Sequence, residues 1–253
     1  MHTVLHRSLP ARRRVARAIA AALLVASATG CSPFGEQDER KVRAVALIGD
    51  SLAEHAQPYL ATAMAPIPLV LDFFGGTAPC DWLGKDLRTD ADTVAVITFI
   101  GNSQTPCMAA ADGTYPHGQA LVDRYGPDLT ALVAQVRATG ARVVLVGQPA
   151  RGDATDEIAL EIDGINAITQ GLAEQENVWF VDAGASVEDV HGRFAASLPC
   201  LPGEAACGGD GTNVVRSNDG VHFCPGVGTP PCPEYSSGAF RFATAIADAV
   251  HDL

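Results

Sequence analysis

Five short apolar runs divide the chain, at residues 42–48, 67–74, 93–100, 142–147 and 178–181. Their hydrophobicity is near-continuous instead of alternating, which marks strands covered on both faces. Helical spacing fills most of the intervals. Leu129, Leu132, Val133 and Val136 stripe one face ahead of the fourth run, and Ile158, Ile162, Ile165, Ile168 and Leu172 stripe another behind it. Phe240, Ala243, Ile246 and Val250 predict a closing helix. Alternating strands and helices imply an α/β fold: a three-layer, doubly wound sandwich around a five-stranded parallel sheet, because right-handed crossovers put helices on both faces. The expected strand order is 2-1-3-4-5, flavodoxin-like, in one domain over residues 42–253.

In such a sheet, ligands bind beyond the carboxyl ends of the strands, where the winding direction switches. Gly49-Asp50-Ser51 follows the first run, Gly75-Gly76-Thr77 the second and Gly101-Asn102 the third, so all three are expected on one rim. Residues 184–235 read as one irregular stretch rich in Gly, Pro and Cys, and loops of that length are usually functional or disordered. This one carries Asp219-Gly220-Val221-His222. A serine near one end of the chain and Asp-x-x-His near the other supply a nucleophile, a general base and its orienter.

Taken singly, each motif has a plainer reading. Ser51-Leu52-Ala53-Glu54 fits a capping box, in which the hydroxyl only satisfies a helix-end amide. The same helix start would also offer free N–H groups to a developing oxyanion. Asn218-Asp219-Gly220 is a strong turn signal, and Asn102 and Gly75-Gly76 serve equally as loop residues. Dinucleotide (G-x-G-x-x-G), Walker-type and nucleophile-elbow (G-x-S-x-G) patterns are absent, so those nucleotide sites and an α/β-hydrolase lack their signatures. No cofactor is expected.

Charge narrows the partners. The formal net charge is −12; residues 1–30 hold five arginines and no acid, and without them twelve basic residues face 29 acidic ones, a charge of −17. Such a surface disfavours nucleic acid and anionic lipid. Basic residues up to Arg17, an apolar stretch at 18–26 and small residues before Cys31 read as a signal peptide over 1–30. Ala28-Thr29-Gly30-Cys31 resembles a bacterial lipoprotein processing site, which would lipidate Cys31 and leave residues 31–41 as a tether. Plain cleavage after Ala28, giving a secreted protein, is the alternative. The expected membrane attachment is by lipid alone, at the outer face of a bacterial cell membrane, and the expected state is a monomer.

Six cysteines remain beyond Cys31, an even number in an exported chain, and of the roughly 15 pairings open to six cysteines we expect Cys80–Cys107, Cys200–Cys207 and Cys224–Cys232. Zinc is not expected, since beyond residues 1–30 neither a Cys-x-x-Cys nor a His-x-x-x-His pair occurs.

Together, Ser51, Gly76, Asn102 and Asp219/His222 occur in the order and spacing of the SGNH (GDSL) hydrolase family, which the chain resembles from about residue 42 to 250. The strings Gly-Gly-Thr-Ala-Pro-Cys-Asp-Trp (75–82) and Gly-Asn-Ser-Gln-Thr-Pro-Cys (101–107) look like the SGNH domains associated with bacterial envelope O-acyltransferases. One block departs from the family: Gly101 directly precedes Asn102 and Ser103 follows it, where Gly-x-Asn-Asp is usual. The resemblance implies the SGNH hydrolase fold and a catalytic Ser51, His222 and Asp219. It also implies an oxyanion hole made of the Ser51 N–H, the Gly76 N–H and the Asn102 side chain. The implied activity is hydrolysis of short O-acyl esters on an envelope glycan or glycolipid. An O-acyltransferase acting on an envelope polysaccharide and a non-catalytic binding lipoprotein are the alternatives.

Overall fold

A computed structural model describes residues 41–226 and 232–253. The proposed signal peptide, almost all of the tether and Cys31 lie outside them. The central sheet takes β1 (Ala44–Gly49), β2 (Leu69–Phe73), β3 (Thr93–Thr98), β4 (Arg142–Val146) and β5 (Val178–Val181). All neighbours pair in parallel, in the order β2-β1-β3-β4-β5. Helices α1 (Ser51–Met64) and α4 (Ser237–His251) pack together, and their apolar faces share one core with Val45, Leu47, Val94 and Val96 of the sheet. Helices α2 (Gln119–Arg137) and α3 (Asp156–Leu172) bury Leu121, Tyr125, Leu132 and Ile165 with Ala46, Ile48, Val143 and Leu145 on the other side. Fully burying Leu52, Leu60 and Met64 along α1 contributes about 1.5–3 kcal/mol each.

Two expectations change at element ends. The third apolar run continues to residue 100, yet β3 stops at Thr98. Phe99 and Ile100 stay buried, but the Ile100 N–H donates to the Asp50 carboxylate instead of to a strand. The stretch at 184–235 is also more ordered than its composition suggests. It holds a 3-10 turn (Gly184–Val187) and an antiparallel hairpin of β6 (Ser197–Pro199) with β7 (Thr212–Val214). The hairpin is held to α4 by a buried ion pair, Arg241 Nε to Glu204 Oε1 at 2.6 Å, with side chains only 4% and 1% exposed.

The three disulfides are Cys80–Cys107, Cys200–Cys207 and Cys224–Cys232. Among the described residues, no helix is long and apolar enough to cross a membrane.

Candidate active site

The sheet closes tightly where β1 ends. A Cβ on Gly49 would lie 2.2 Å from the Thr98 carbonyl oxygen, so no larger residue fits between β1 and β3 here. The chain then turns into α1 through Asp50, which is the helix cap: its Oδ1 accepts the Leu52 N–H at 3.1 Å. This corrects the capping-box reading of Ser51. Ser51 is the first residue of the helix, and Glu54 turns away to accept the Gly75 N–H at 2.8 Å. With Asp50 capping, the Ser51 hydroxyl is left for other work.

That hydroxyl meets the distant loop. Ser51 Oγ lies 2.9 Å from His222 Nε2, and His222 Nδ1 lies 2.7 Å from Asp219 Oδ2. Asp219 Oδ1 accepts the N–H groups of Val221 and His222, at 2.8 and 3.0 Å, and the Ser217 hydroxyl. Partial burial pushes the Asp219 carboxyl up, but these donors and the His222 ring outweigh it and hold the group well below the usual carboxylate range. It therefore stays ionised and acceptor-only, and the imidazole proton sits on Nδ1 facing it. The side chains of His222 and Asp219 are 24% and 42% exposed, so water reaches this edge of the site.

Backbone bonds fix the loop residue by residue. Arg216 Nη1 donates to the Val221 carbonyl at 2.8 Å, Ser217 N to the His222 carbonyl at 2.7 Å, and Ser236 Oγ to the Phe223 carbonyl at 2.7 Å. The Phe223 N–H donates to His55 Nδ1 at 3.2 Å. Arg216 also reaches the Ala150 carbonyl at 2.7 Å and lies over the Phe223 ring, 5.1 Å from its centroid. Burial lowers its guanidinium to about 10, against the pull of Glu188 and Asp219. Gly220 (φ +71°) passes so close to the 149–153 loop that a Cβ would sit 2.8 Å from Gly152 Cα, and its carbonyl accepts the Gly152 N–H at 2.8 Å.

Gly76 and Asn102 border one cleft, and a Cβ on Gly75 would lie 3.7 Å from Ser51 Cβ, so this loop runs beside the serine. Among the described residues, neither the Ser51 nor the Gly76 N–H donates a hydrogen bond. Asn102 differs: its Nδ2 donates to Asp50 Oδ2 at 2.9 Å and to the Thr77 carbonyl at 3.1 Å. Two oxygens flank this amide, so the nitrogen has to face them. Asp50 is thus a site residue whose part the sequence did not disclose. It is fully buried and takes N–H groups from Leu52, Ile100 and Asn102. Burial raises it to about 7, with Glu54 adding to the rise and the Ile100 and Leu52 amides opposing it.

The loops bearing Gly76 and Asn102 are tied by Cys80–Cys107 and by Asp81, which accepts the Thr105 hydroxyl at 2.7 and 2.8 Å. Past them opens a cleft of about 590 Å³. It is bordered by Gly76 and Asn102 on one side and by His117, Arg151, Glu157 and Glu161 on the other. Its walls combine polar side chains with a comparable apolar surface. Arg151 is held there in a two-pronged pair with Asp153, at 2.9 and 2.7 Å.

By strand order and by the sequence in which these residues arrive at one rim, the domain has the SGNH hydrolase fold. The chain belongs to the family described as "Protein of unknown function (DUF459)", whose model matches residues 80–228 and so takes in Asn102, Asp219 and His222. It is similar to Axe2, an acetylxylan esterase from Geobacillus stearothermophilus, with 15% identity, a TM-score of 0.51, and coverage of 83% of this chain and 94% of that one. It is also similar to a candidate acylhydrolase from Bacteroides fragilis, at 16% identity, a TM-score of 0.52, and coverage of 86% and 89%. The C-terminal catalytic domain of peptidoglycan O-acetyltransferase A from Streptococcus pneumoniae aligns at 19% identity, with a TM-score of 0.49 and coverage of 84% and 94%. At these identities the likeness is one of fold. No curated protein matches the chain.

Proposed function

We propose that this chain is an exported serine ester hydrolase that removes short O-acyl groups, acetyl among them, from a glycan or glycolipid of the cell envelope. One observation carries the reading: the unbroken relay from Asp219 Oδ2 through the His222 ring to Ser51 Oγ, at 2.7 and 2.9 Å. As Ser51 Oγ attacks the ester carbonyl carbon, its proton passes to His222 Nε2, and Asp219 stabilises the imidazolium. The carbonyl oxygen becomes an oxyanion at the start of α1, facing the Ser51 and Gly76 N–H groups and Asn102 Nδ2. Collapse breaks the ester C–O bond, and the leaving sugar oxygen takes the proton from Nε2. Water then attacks the acyl-serine by the same route, releasing the acid and restoring the hydroxyl.

Two features support a sugar ester. The cleft that Gly76 and Asn102 border is far larger than an acetyl group and carries side chains that bond hydroxyls, among them His117, Arg151, Glu157 and Glu161. A fold relative, Axe2, is named for acetylxylan. Solvent access to His222 and Asp219 favours hydrolysis over transfer, which requires water to be shut out. Export is supported by the character of residues 1–30 and by three disulfides in a chain of this size, with Cys31 as the lipid-bearing residue.

The test is acetate release from acetylated xylo-oligosaccharides and from 4-nitrophenyl acetate. Wild-type protein is expected to turn over both, and Ser51→Ala to fall to background with an unchanged circular dichroism spectrum. Turnover by folded Ser51→Ala at the wild-type rate would overturn the proposal. Acetyl transfer to an added glycan in place of acetate release would favour the acyltransferase.

A further inference from the structure

We infer that His55 is a positioning residue for the general base, tying the loop of His222 to the helix that carries the nucleophile. The inference rests on the triad reading above. His55 stands one turn after Ser51 on α1, so the two side chains leave the same helix face. Its ring is 1% exposed, and its centroid lies 5.2 Å from that of His222. Nδ1 accepts the Phe223 N–H, the amide directly after His222. A nitrogen that accepts carries no proton, so the neutral ring holds its proton on Nε2. The Cys224 sulfur, bridged to Cys232, packs 3.6 and 3.7 Å from the two ring nitrogens and leaves the ring little room to turn.

An imidazole is a costly way to fill a core position. Burying its polar nitrogens is unfavourable unless they are bonded, and an apolar side chain would pack without that cost. Here the bonded atom belongs to the backbone next to the base. Arg216 holds the carbonyl on the other side, so the peptide flanking His222 is pinned in both directions by buried side chains. Of the two, only His55 comes from the element that bears Ser51. It therefore sets the Oγ to Nε2 separation directly, as a strut between α1 and the loop. Without it, the Phe223 N–H is buried and unpaired and the His222 ring is free to shift. A misplacement of about 1 Å costs on the order of 10²-fold in rate.

The experiment compares His55→Leu, which removes the acceptor, with His55→Asn, which keeps an oxygen near the position of Nδ1. Steady-state hydrolysis of 4-nitrophenyl acetate is the readout. His55→Leu is expected to lower kcat by about 10- to 100-fold with KM within about twofold of wild type, as loss of alignment does. His55→Asn is expected to recover most of that loss. A folded His55→Leu protein with wild-type kcat, or equal losses in both variants, overturns the inference. If neither variant folds, nitrogen NMR on wild-type protein labelled at histidine decides: a proton on His55 Nε2 and a slowly exchanging Phe223 amide support the strut, and a proton on Nδ1 overturns it. Wild-type protein without any turnover would instead defeat the triad reading, a separate result.

Discussion

At Asp50, N–H groups of Leu52, Ile100 and Asn102 meet a carboxylate from which water is excluded. Burial raises the group to about 7 from an ordinary value of 3.8. A carboxyl raised on folding binds its proton more tightly in the native state. Its contribution to stability is then greatest below about pH 4 and declines as pH rises toward 7. Asp50→Asn has no such slope, so denaturant titrations at several pH values should show the variant gaining on wild type between pH 4 and 7. A constant difference would contradict the assignment. Under the proposed mechanism, Asn102→Ala removes one of three oxyanion donors and should lower kcat by about 10²- to 10³-fold with little change in KM. Ser51, Asp219 and His222 were legible because a short motif carries each of them. Asp50 and His55 were not. Asp50 stands within the Gly-Asp-Ser motif, but its part depends on the burial that β3 imposes. His55 was visible only as a histidine four residues after Ser51, with nothing local to say that Phe223 would meet it.

The hairpin and α4 show the same dependence among elements. Glu204 accepts from Arg241 and Ser237, from the Leu201 amide and from Asn213. Burial pushes its carboxyl up, but these donors prevail and bring it down to about 2 from 4.5. The sign is opposite to that of Asp50: this stabilisation is complete above about pH 4.5 and is lost as pH falls from there toward 2. Glu204→Gln leaves Arg241 buried and uncompensated, which costs about 3–5 kcal/mol at neutral pH. Urea denaturation should show that loss, together with a flatter acid limb; an unchanged midpoint would contradict the pairing. Sequence periodicity placed all five strands and the closing helix because each buries an apolar face. It missed β6 and β7, which are three residues long and depend on a disulfide and an ion pair more than on a pattern. It also gave Ser51 the cap that Asp50 holds, since both are good capping residues and only the end of β1 decides between them.

Over the whole molecule, the strand order followed from the alternation of elements and the handedness of crossovers, which few topologies satisfy. The cleft was not legible, because its walls come from three connections and the first turns of α3, which no local pattern brings together. Cys80–Cys107 joins two of the loops at the site, so reduction should lower kcat before the far-ultraviolet circular dichroism signal changes. Full activity after complete reduction would remove that role. For the full chain, labelled palmitate is expected on wild-type protein in bacteria and not on Cys31→Ala; a soluble, unlabelled wild type would instead mean plain secretion. The central claim is that Ser51 is a nucleophile activated by His222. Its most direct test is treatment of the folded protein with a fluorophosphonate, followed by peptide mass spectrometry. A single adduct on Ser51, formed far more slowly in His222→Ala, is the expected result; a folded wild-type protein with no adduct, or with one on another residue, would contradict it.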